Sequence, residues 1–182
     1  MRLIDAHCHF DFPEFDGRRK AVLEDARSSG LSNLVIPGVR RPDWRRVSRI
    51  ASEYDGLYYC LGIHPWYVAA LVHLPLVIHS VKAHDEVYEV LRRKRFSGRV
   101  LVHGFSGSYE QATKLIDLGC FIGVGGVITH QRARKTRDTI ARLPVDALIL
   151  ETDAPDMAPA GVEAGHNSPA YLPSILATLA RL

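Results

Sequence analysis

Short apolar runs alternate with amphipathic stretches along the whole chain, and this alternation predicts a parallel α/β fold. The runs are nearly continuous in apolar residues, as expected for strands that are covered on both faces. Apolar residues at helical spacing fill the stretches between them, and Gly30 and Gly119 are predicted to close two helices. Ser80, Ser106 and Ser108, which follow two of the apolar runs, are predicted to cap helix starts. The predicted strands are Leu3–Ala6, Asn33–Ile36, Leu57–Leu61, Leu76–Ile78, Val100–Val102, Phe121–Val124 and Ala147–Leu150.

Histidines or acids follow five of these seven predicted strands. In a (β/α)8 barrel the C-terminal ends of all strands converge on one mouth, where the catalytic groups lie. A doubly wound sheet would concentrate its ligand groups near one switch point, and no glycine-rich phosphate loop follows the first strand. The pattern therefore favours a TIM-type (β/α)8 barrel that residues 1–182 form as a single domain. The residues in question are His7, His9, His64, His79, His103, Glu151 and Asp153.

The chain is short for such a barrel. Eight strand–helix units take about 250 residues, whereas this chain has 182. Only Tyr67–His73 separates the His64 motif from the run that begins at Leu74. A crossover between parallel strands needs about 10–12 residues. We therefore expect the barrel to lack about one strand–helix segment near residues 68–73, and to be short at its C-terminal end.

Composition and charge limit the class of protein. The chain is 47% hydrophobic and 24% charged with a net charge of +3, and no run approaches the roughly 18 apolar residues of a membrane helix. No basic-then-apolar leader is visible, and three widely spaced cysteines are predicted to be reduced thiols in a cytoplasmic protein. Basic clusters near residues 40–46, 92–95 and 132–137 would allow a nucleic-acid partner but do not require one.

The spacing of His7 and His9 predicts half of a metal site, because residues two apart on a strand point to the same side. His79 and His103 end two further apolar runs and are predicted to complete the set of imidazoles. Imidazole suits zinc, manganese or iron, and carboxylate ligands widen the choice to magnesium. Asp153 is the expected carboxylate, since imidazoles alone leave the charge of a divalent ion unneutralised.

The remaining candidates surround this predicted centre. Asp153 could also orient a water molecule and take its proton. Glu151 is expected to orient a metal-ligating histidine by a hydrogen bond, without binding the metal itself. His64 and Trp66 are predicted to contact substrate, because an indole ring can stack on a nucleic-acid base.

These motifs together resemble the TatD-related metal-dependent deoxyribonucleases, within the amidohydrolase-like barrel superfamily. The resemblance implies a barrel with one or two divalent ions (Mg, Mn or Zn) and hydrolysis of DNA phosphodiester bonds, with 3′–5′ exonuclease action on single strands or 3′ ends. It implies His7, His9, His79, His103 and Asp153 as metal ligands, with Asp153 also poised on the attacking water, and His64 as a phosphate contact. The segments that carry it stand in family order: Asp5–His9, Gly62–Trp66, Leu74–Ser80, His103–Ser108 and Glu151–Pro155.

One family motif is absent from the sequence. Family members carry a Gly-Glu-x-Gly-Leu-Asp-like motif, whose glutamate bridges two metals, between the segments that match His64 and His79. The absent motif coincides with the short crossover near residues 68–73. The absent glutamate leaves open a metal-poor homologue without catalysis. A related esterase or lactonase also stays open, because the same water-activating site serves both chemistries.

Overall fold

All seven predicted strands are present in the computed structural model, which describes residues 2–38, 41–61 and 75–182. The strands are β1 (Leu3–Asp5), β2 (Leu31–Gly38), β3 (Leu57–Leu61), β4 (Leu76–His79), β5 (Val100–His103), β6 (Cys120–Val124) and β7 (Leu148–Leu150). The α-helices between and after them are α1 (Arg19–Ser28), α2 (Trp44–Glu53), α3 (His84–Lys94), α4 (Tyr109–Asp117), α5 (Arg134–Ala141) and α6 (Leu172–Leu179).

The strands form one curved array in the order expected for a barrel. β1, β2 and β3 pair in parallel, and so do β4, β5, β6 and β7. The two sheets meet where the Ala6 amide donates to the carbonyl of Leu150 at 3.3 Å, which places β7 beside β1. The array therefore runs β4-β5-β6-β7-β1-β2-β3, and it is part of a TIM-type barrel.

β3 and β4 are the two edges of the array among the described residues. The connection between them, residues 62–74, lies outside the described part of the chain. The predictions for His64, for Trp66 and for the short crossover near residues 68–73 therefore concern residues that the structure does not describe.

Two clusters of buried side chains cover the array, one around β1–β3 and one around β4–β7. α6 joins them, because Leu172 belongs to the first cluster and Ile175 to the second. Each of these side chains is fully buried, and full burial of a leucine or isoleucine is worth about 1.5–3 kcal/mol. α6 therefore holds the two halves of the array together from outside.

Several helix ends follow their sequence signals. Gly30 and Gly119 lie just beyond α1 and α4 with positive φ angles of 101° and 83°, as predicted for left-handed caps. Ser108 is the N-cap of α4 and forms a reciprocal pair of hydrogen bonds with Gln111. The prediction of a cap was wrong at Ser80, which is buried four residues before α3 begins and whose hydroxyl has no hydrogen-bond partner among the described residues.

Among the helices of the described ranges, none has the length and apolar character needed to cross a bilayer.

Candidate metal centre

A buried aspartate fixes the strand end from which the centre is built. Asp5, the last residue of β1, accepts hydrogen bonds from the His7 amide at 3.2 Å and the Thr152 amide at 3.0 Å, and another from the Thr152 hydroxyl. Burial raises the pKa of Asp5 to about 6, against the opposing effect of the Thr152 hydrogen bonds. These contacts join the end of β1 to the end of β7.

The chain after β1 then runs beside the chain after β7. The Asp153 amide donates to the carbonyl of His7 at 2.7 Å, and the His9 amide donates to the carbonyl of Ala154 at 2.7 Å. Cys8, between the two histidines, is fully buried. Asp153 has a φ of 56°, a left-handed conformation that aspartate tolerates better than most residues. This backbone geometry brings one carboxylate to two imidazoles.

His7, His9 and Asp153 form the first group of possible metal ligands. Oδ1 of Asp153 lies 3.2 Å from Nε2 of His7 and 3.6 Å from Nε2 of His9. Two ligands at about 2.1 Å from a common ion lie roughly 3.0–3.5 Å apart. The observed separations are therefore close to those that a shared ion requires.

His7, His103 and Glu151 form the second group, which shares His7 with the first. The rings of His7 and His103 stack with centroids 3.7 Å apart and planes 8° apart. Nδ1 of His103 lies 4.0 Å from Oε1 of Glu151, and that oxygen accepts a hydrogen bond of 2.6 Å from the Gly104 amide. The sequence predicted Glu151 as a partner that orients a histidine. In the structure its carboxylate is itself one of the possible metal ligands.

His79 joins the centre through His103. Its Nδ1 lies 2.7 Å from Nε2 of His103, so one of these nitrogens donates a hydrogen bond to the other. His79 ends β4 directly beside His103 at the end of β5. Its side chain is exposed, and it belongs to neither group of three ligands.

The protonation of the centre favours a cation. Burial, followed by the neighbouring His7, lowers the pKa of His103 to about 3, so its ring is neutral. Burial also lowers the pKa of His9. Burial would raise the pKa of Asp153, but interaction with His7, then with His103 and His9, outweighs it and lowers that pKa. Neutral imidazoles and an ionised carboxylate are the forms in which these side chains bind metals.

Unsatisfied polar atoms at the centre provide the test of whether a metal fits. A buried polar atom without a partner costs about 1–3 kcal/mol, and such atoms are rare in folded proteins. Each residue of the two groups has at least one such atom without a hydrogen bond in the described chain: Nδ1 and Nε2 of His7, Nδ1 of His9, Nδ1 of His103, Oε2 of Glu151 and Oδ1 of Asp153. This mixture of nitrogen and oxygen donors suits zinc, manganese or magnesium.

The structure brings together six of the predicted site residues: His7, His9, His103, Glu151 and Asp153 in the two groups, and His79 at the margin. Sequence reasoning missed one residue that makes space for the Glu151 carboxylate. Gly123, inside β6, faces the Glu151 carboxylate so closely that an added Cβ would lie 2.6 Å from Oε1. A glycine inside a strand often marks a close approach of this kind, so the signal was present in the sequence.

Comparison with known proteins agrees with this geometry. The family model "TatD related DNase" matches residues 4–72 and 66–182. The chain belongs to this family. The uncharacterised metal-dependent hydrolase YjjV of Escherichia coli K12 is 34% identical, with 100% of this chain and 90% of the relative covered. The crystal structure of YjjV, a TatD homologue, has a TM-score of 0.89 at 33% identity and covers 98% of this chain and 89% of its own.

A further relative has a more specific description. The protein named 3′-5′ ssDNA/RNA exonuclease TatD, from Klebsiella pneumoniae strain 342, is 26% identical over 98% of this chain and 89% of its own length. The family consists of metal-dependent hydrolases, and this chain is therefore one by membership.

The comparison also bears on the predicted missing segment. The alignment with YjjV extends over 233 positions, although this chain has 182 residues, so at least 51 positions have no counterpart here. The two matches to the family model meet at residues 66–72. The break lies where the sequence predicted the loss of a strand–helix segment.

Proposed function

We propose that this protein hydrolyses phosphodiester bonds of DNA, as a metal-dependent 3′–5′ exonuclease acting on single strands or 3′ ends. The observation that carries the proposal is the group of buried His7, half-buried His9 and buried Asp153. Oδ1 of Asp153 lies 3.2 Å from Nε2 of His7 and 3.6 Å from Nε2 of His9, and it has no hydrogen-bond partner among the described residues. The relative named as an ssDNA/RNA exonuclease supports the choice of substrate.

In this proposal His7, His9 and Asp153 would hold one divalent ion, and His103, with His79 or Glu151, would hold a second. A bound ion supplies Lewis-acid polarisation of the phosphoryl oxygen and lowers the pKa of a water molecule. Glu151 is kept in place by the Gly104 amide. Its carboxylate shares a ligand group with His103, and we propose that it partly replaces the bridging glutamate that the chain lacks.

Asp153 has the catalytic role in this scheme. Its lowered pKa keeps it ionised, so it can accept the proton of an attacking water that it orients. The hydrogen bond from its amide to His7 fixes the backbone on which the carboxylate stands. His64 and Trp66, both outside the described residues, are proposed to contact the phosphate and a base.

We further propose that residues 1–182 act as one domain, because α6 packs against both buried clusters. Cys8, Cys60 and Cys120 are all free thiols, which supports a cytoplasmic location, where thiols stay reduced.

The first prediction tests this function directly. The chain, stripped of metal and then supplied with Mg²⁺, Mn²⁺ or Zn²⁺, is incubated with single-stranded DNA labelled at its 5′ end. We expect a ladder of products that shortens from the 3′ end, and we expect His9→Ala to lower the rate by about 100-fold or more because a metal ligand is removed. His166→Ala, which removes an exposed imidazole, is the matched control and should keep the wild-type rate.

Cleavage that persists in EDTA, or that His9→Ala leaves intact, would contradict the proposal. Turnover of a small ester without cleavage of DNA would favour the esterase or lactonase alternative. Failure to bind any of the three metals would favour the homologue without catalysis.

A further inference from the structure

The basic clusters of this chain lie at different ends of the strand array. β6 ends at Val124 and α5 begins at Arg134, so the loop between them lies at the C-terminal ends of the strands, with the candidate metal centre. α3 ends at Lys94 and β5 begins at Val100, so the segment between them lies at the opposite end. Only the first of these two clusters can meet a substrate that is bound at the centre.

Contacts around the β6–α5 loop confirm its position beside the centre. Val127 and Ile128 line one cavity together with Glu151 and Asp153. His130 Nε2 lies 3.0 Å from the carbonyl of Ala158, in the loop that follows β7. The loop therefore packs against the segment after β7, which carries Glu151 and Asp153.

Two basic residues of the loop and the first turn of α5 are free to meet a ligand. Residues 125–137 contain four arginine or lysine side chains and no acidic one. Arg137 is occupied, since it donates to the carbonyl of Ile128, and Lys135 lies close enough to Glu110 to influence its pKa. Arg132 and Arg134 are exposed, and neither forms an ion pair with any described residue.

Another arginine near the mouth differs from these two. Arg46 contacts Asp11 at 2.7 Å and Asp43 at 3.4 Å. Two carboxylates thus balance its charge, and it offers little attraction to a phosphate. Arg132 and Arg134, by contrast, are exposed, form no ion pair with any described residue, and lie between β6 and the first turn of α5, at the end of the array that carries the centre.

We propose that Arg132 and Arg134 bind the phosphate backbone of a single-stranded nucleic acid beyond the bond that is cleaved. The inference rests on the proposed function and makes it more specific, because the substrate is then a polynucleotide strand and not a mononucleotide or a small ester. Positive side chains that track a backbone are the usual electrostatic part of single-strand binding.

The test compares two double variants that remove the same charges with the same spacing. Arg132→Gln/Arg134→Gln alters the loop beside the centre. Arg93→Gln/Arg95→Gln alters exposed arginines at the other end of the array, where Arg95 lines a cavity with the first residues of β5 and β6. Binding is measured on the full chain with metal present, by fluorescence anisotropy of a phosphorothioate oligonucleotide that resists hydrolysis.

We expect the loop variant to bind about tenfold more weakly at low salt. The logarithm of the association constant should depend less steeply on the logarithm of the salt concentration, with a slope smaller in magnitude by about 1.4. This is about 0.7 for each phosphate that an arginine no longer neutralises. The Arg93/Arg95 variant should bind within twofold of the wild type. Hydrolysis of bis(p-nitrophenyl) phosphate, which has no further phosphates to contact, should be the same in all three proteins.

Equally weakened binding in both variants, or unchanged binding in the loop variant, would overturn the inference even if DNA is cleaved. A selective loss of binding in a protein that cleaves no DNA would uphold the nucleic-acid surface and contradict the proposed hydrolysis. The two proposals can therefore fail separately.

Discussion

Gly123 leaves the space in which the carboxylate of Glu151 lies. A Cβ at position 123 would approach the carboxylate to 2.6 Å, whereas a Cβ at Gly125 would find Cγ of Glu151 at 3.6 Å, an ordinary contact distance. The two glycines are neighbours on one side of the same acid. They therefore differ in one respect that can be tested, namely the room available for a methyl group.

We expect Gly123→Ala to displace Glu151 and to break its hydrogen bond with the Gly104 amide. The buried amide then lacks a partner, so unfolding should become easier by about 1–3 kcal/mol. Metal binding, measured by calorimetric titration, should weaken as well. Gly125→Ala is the control and should preserve both stability and metal affinity; equal effects of the two substitutions would contradict this account of Gly123.

Among the residues of the centre, those with a regular pattern could be predicted from sequence. His7, His9, His103 and Asp153 each follow an apolar run, and parallel strands bring such positions together. The direct approach of Glu151 to the centre could not be predicted, because it depends on the empty side of Gly123 in another strand. The stacking of His7 on His103 likewise depends on distances across the barrel that no local pattern records.

At the scale of elements, local signals located strands better than helix starts. All seven strands lie within two residues of their predicted starts and ends, because continuous apolar runs are typical of strands buried on both faces. Ser80 after β4, and Ser106 and Ser108 after β5, were all expected to cap helices, but only Ser108 does so. α3 begins after Ala83 without a side-chain cap, since a serine caps only where the backbone turn directs its hydroxyl to the N2 or N3 amide.

The capping box of α4 leads to a prediction about this element. Ser108→Ala removes the hydroxyl that accepts from the Gln111 amide at 3.2 Å, so the free energy of unfolding should fall by about 1 kcal/mol. Urea unfolding followed by circular dichroism measures the change. Ser106→Ala is the control because Ser106 is exposed and precedes the cap by two residues. A destabilisation at Ser106 as large as that at Ser108 would show that the capping box is not the cause.

At the scale of the whole molecule, the candidate metal centre spans the junction of the two sheets. His7 and His9 follow β1 of the first sheet, whereas His103 and Asp153 belong to the ends of β5 and β7 of the second. Backbone hydrogen bonds at this junction include that of the Ala6 amide to Leu150, at 3.3 Å, and those that join the chain after β1 to the chain after β7. An ion held by residues of both sheets would therefore stabilise the array as a whole as well as supply chemistry.

Metal binding should consequently raise the thermal stability of the protein. A ligand present at 100 times its Kd stabilises the folded state by about 2.7 kcal/mol, and for a chain of this size each kcal/mol shifts Tm by about 2–4 °C. Saturating Mn²⁺ or Zn²⁺ should thus raise Tm by roughly 5–10 °C in differential scanning fluorimetry. His7→Ala should abolish this rise, because the His7 ring belongs to both groups of ligands.

His166→Ala serves again as the control, since its imidazole is exposed and lies in the loop between β7 and α6. It should retain the full rise in Tm with metal. KCl at matched ionic strength should produce no comparable rise, which separates specific binding from screening. A rise of equal size in His7→Ala would mean that the ions bind elsewhere and that the two sheets meet without a metal between them.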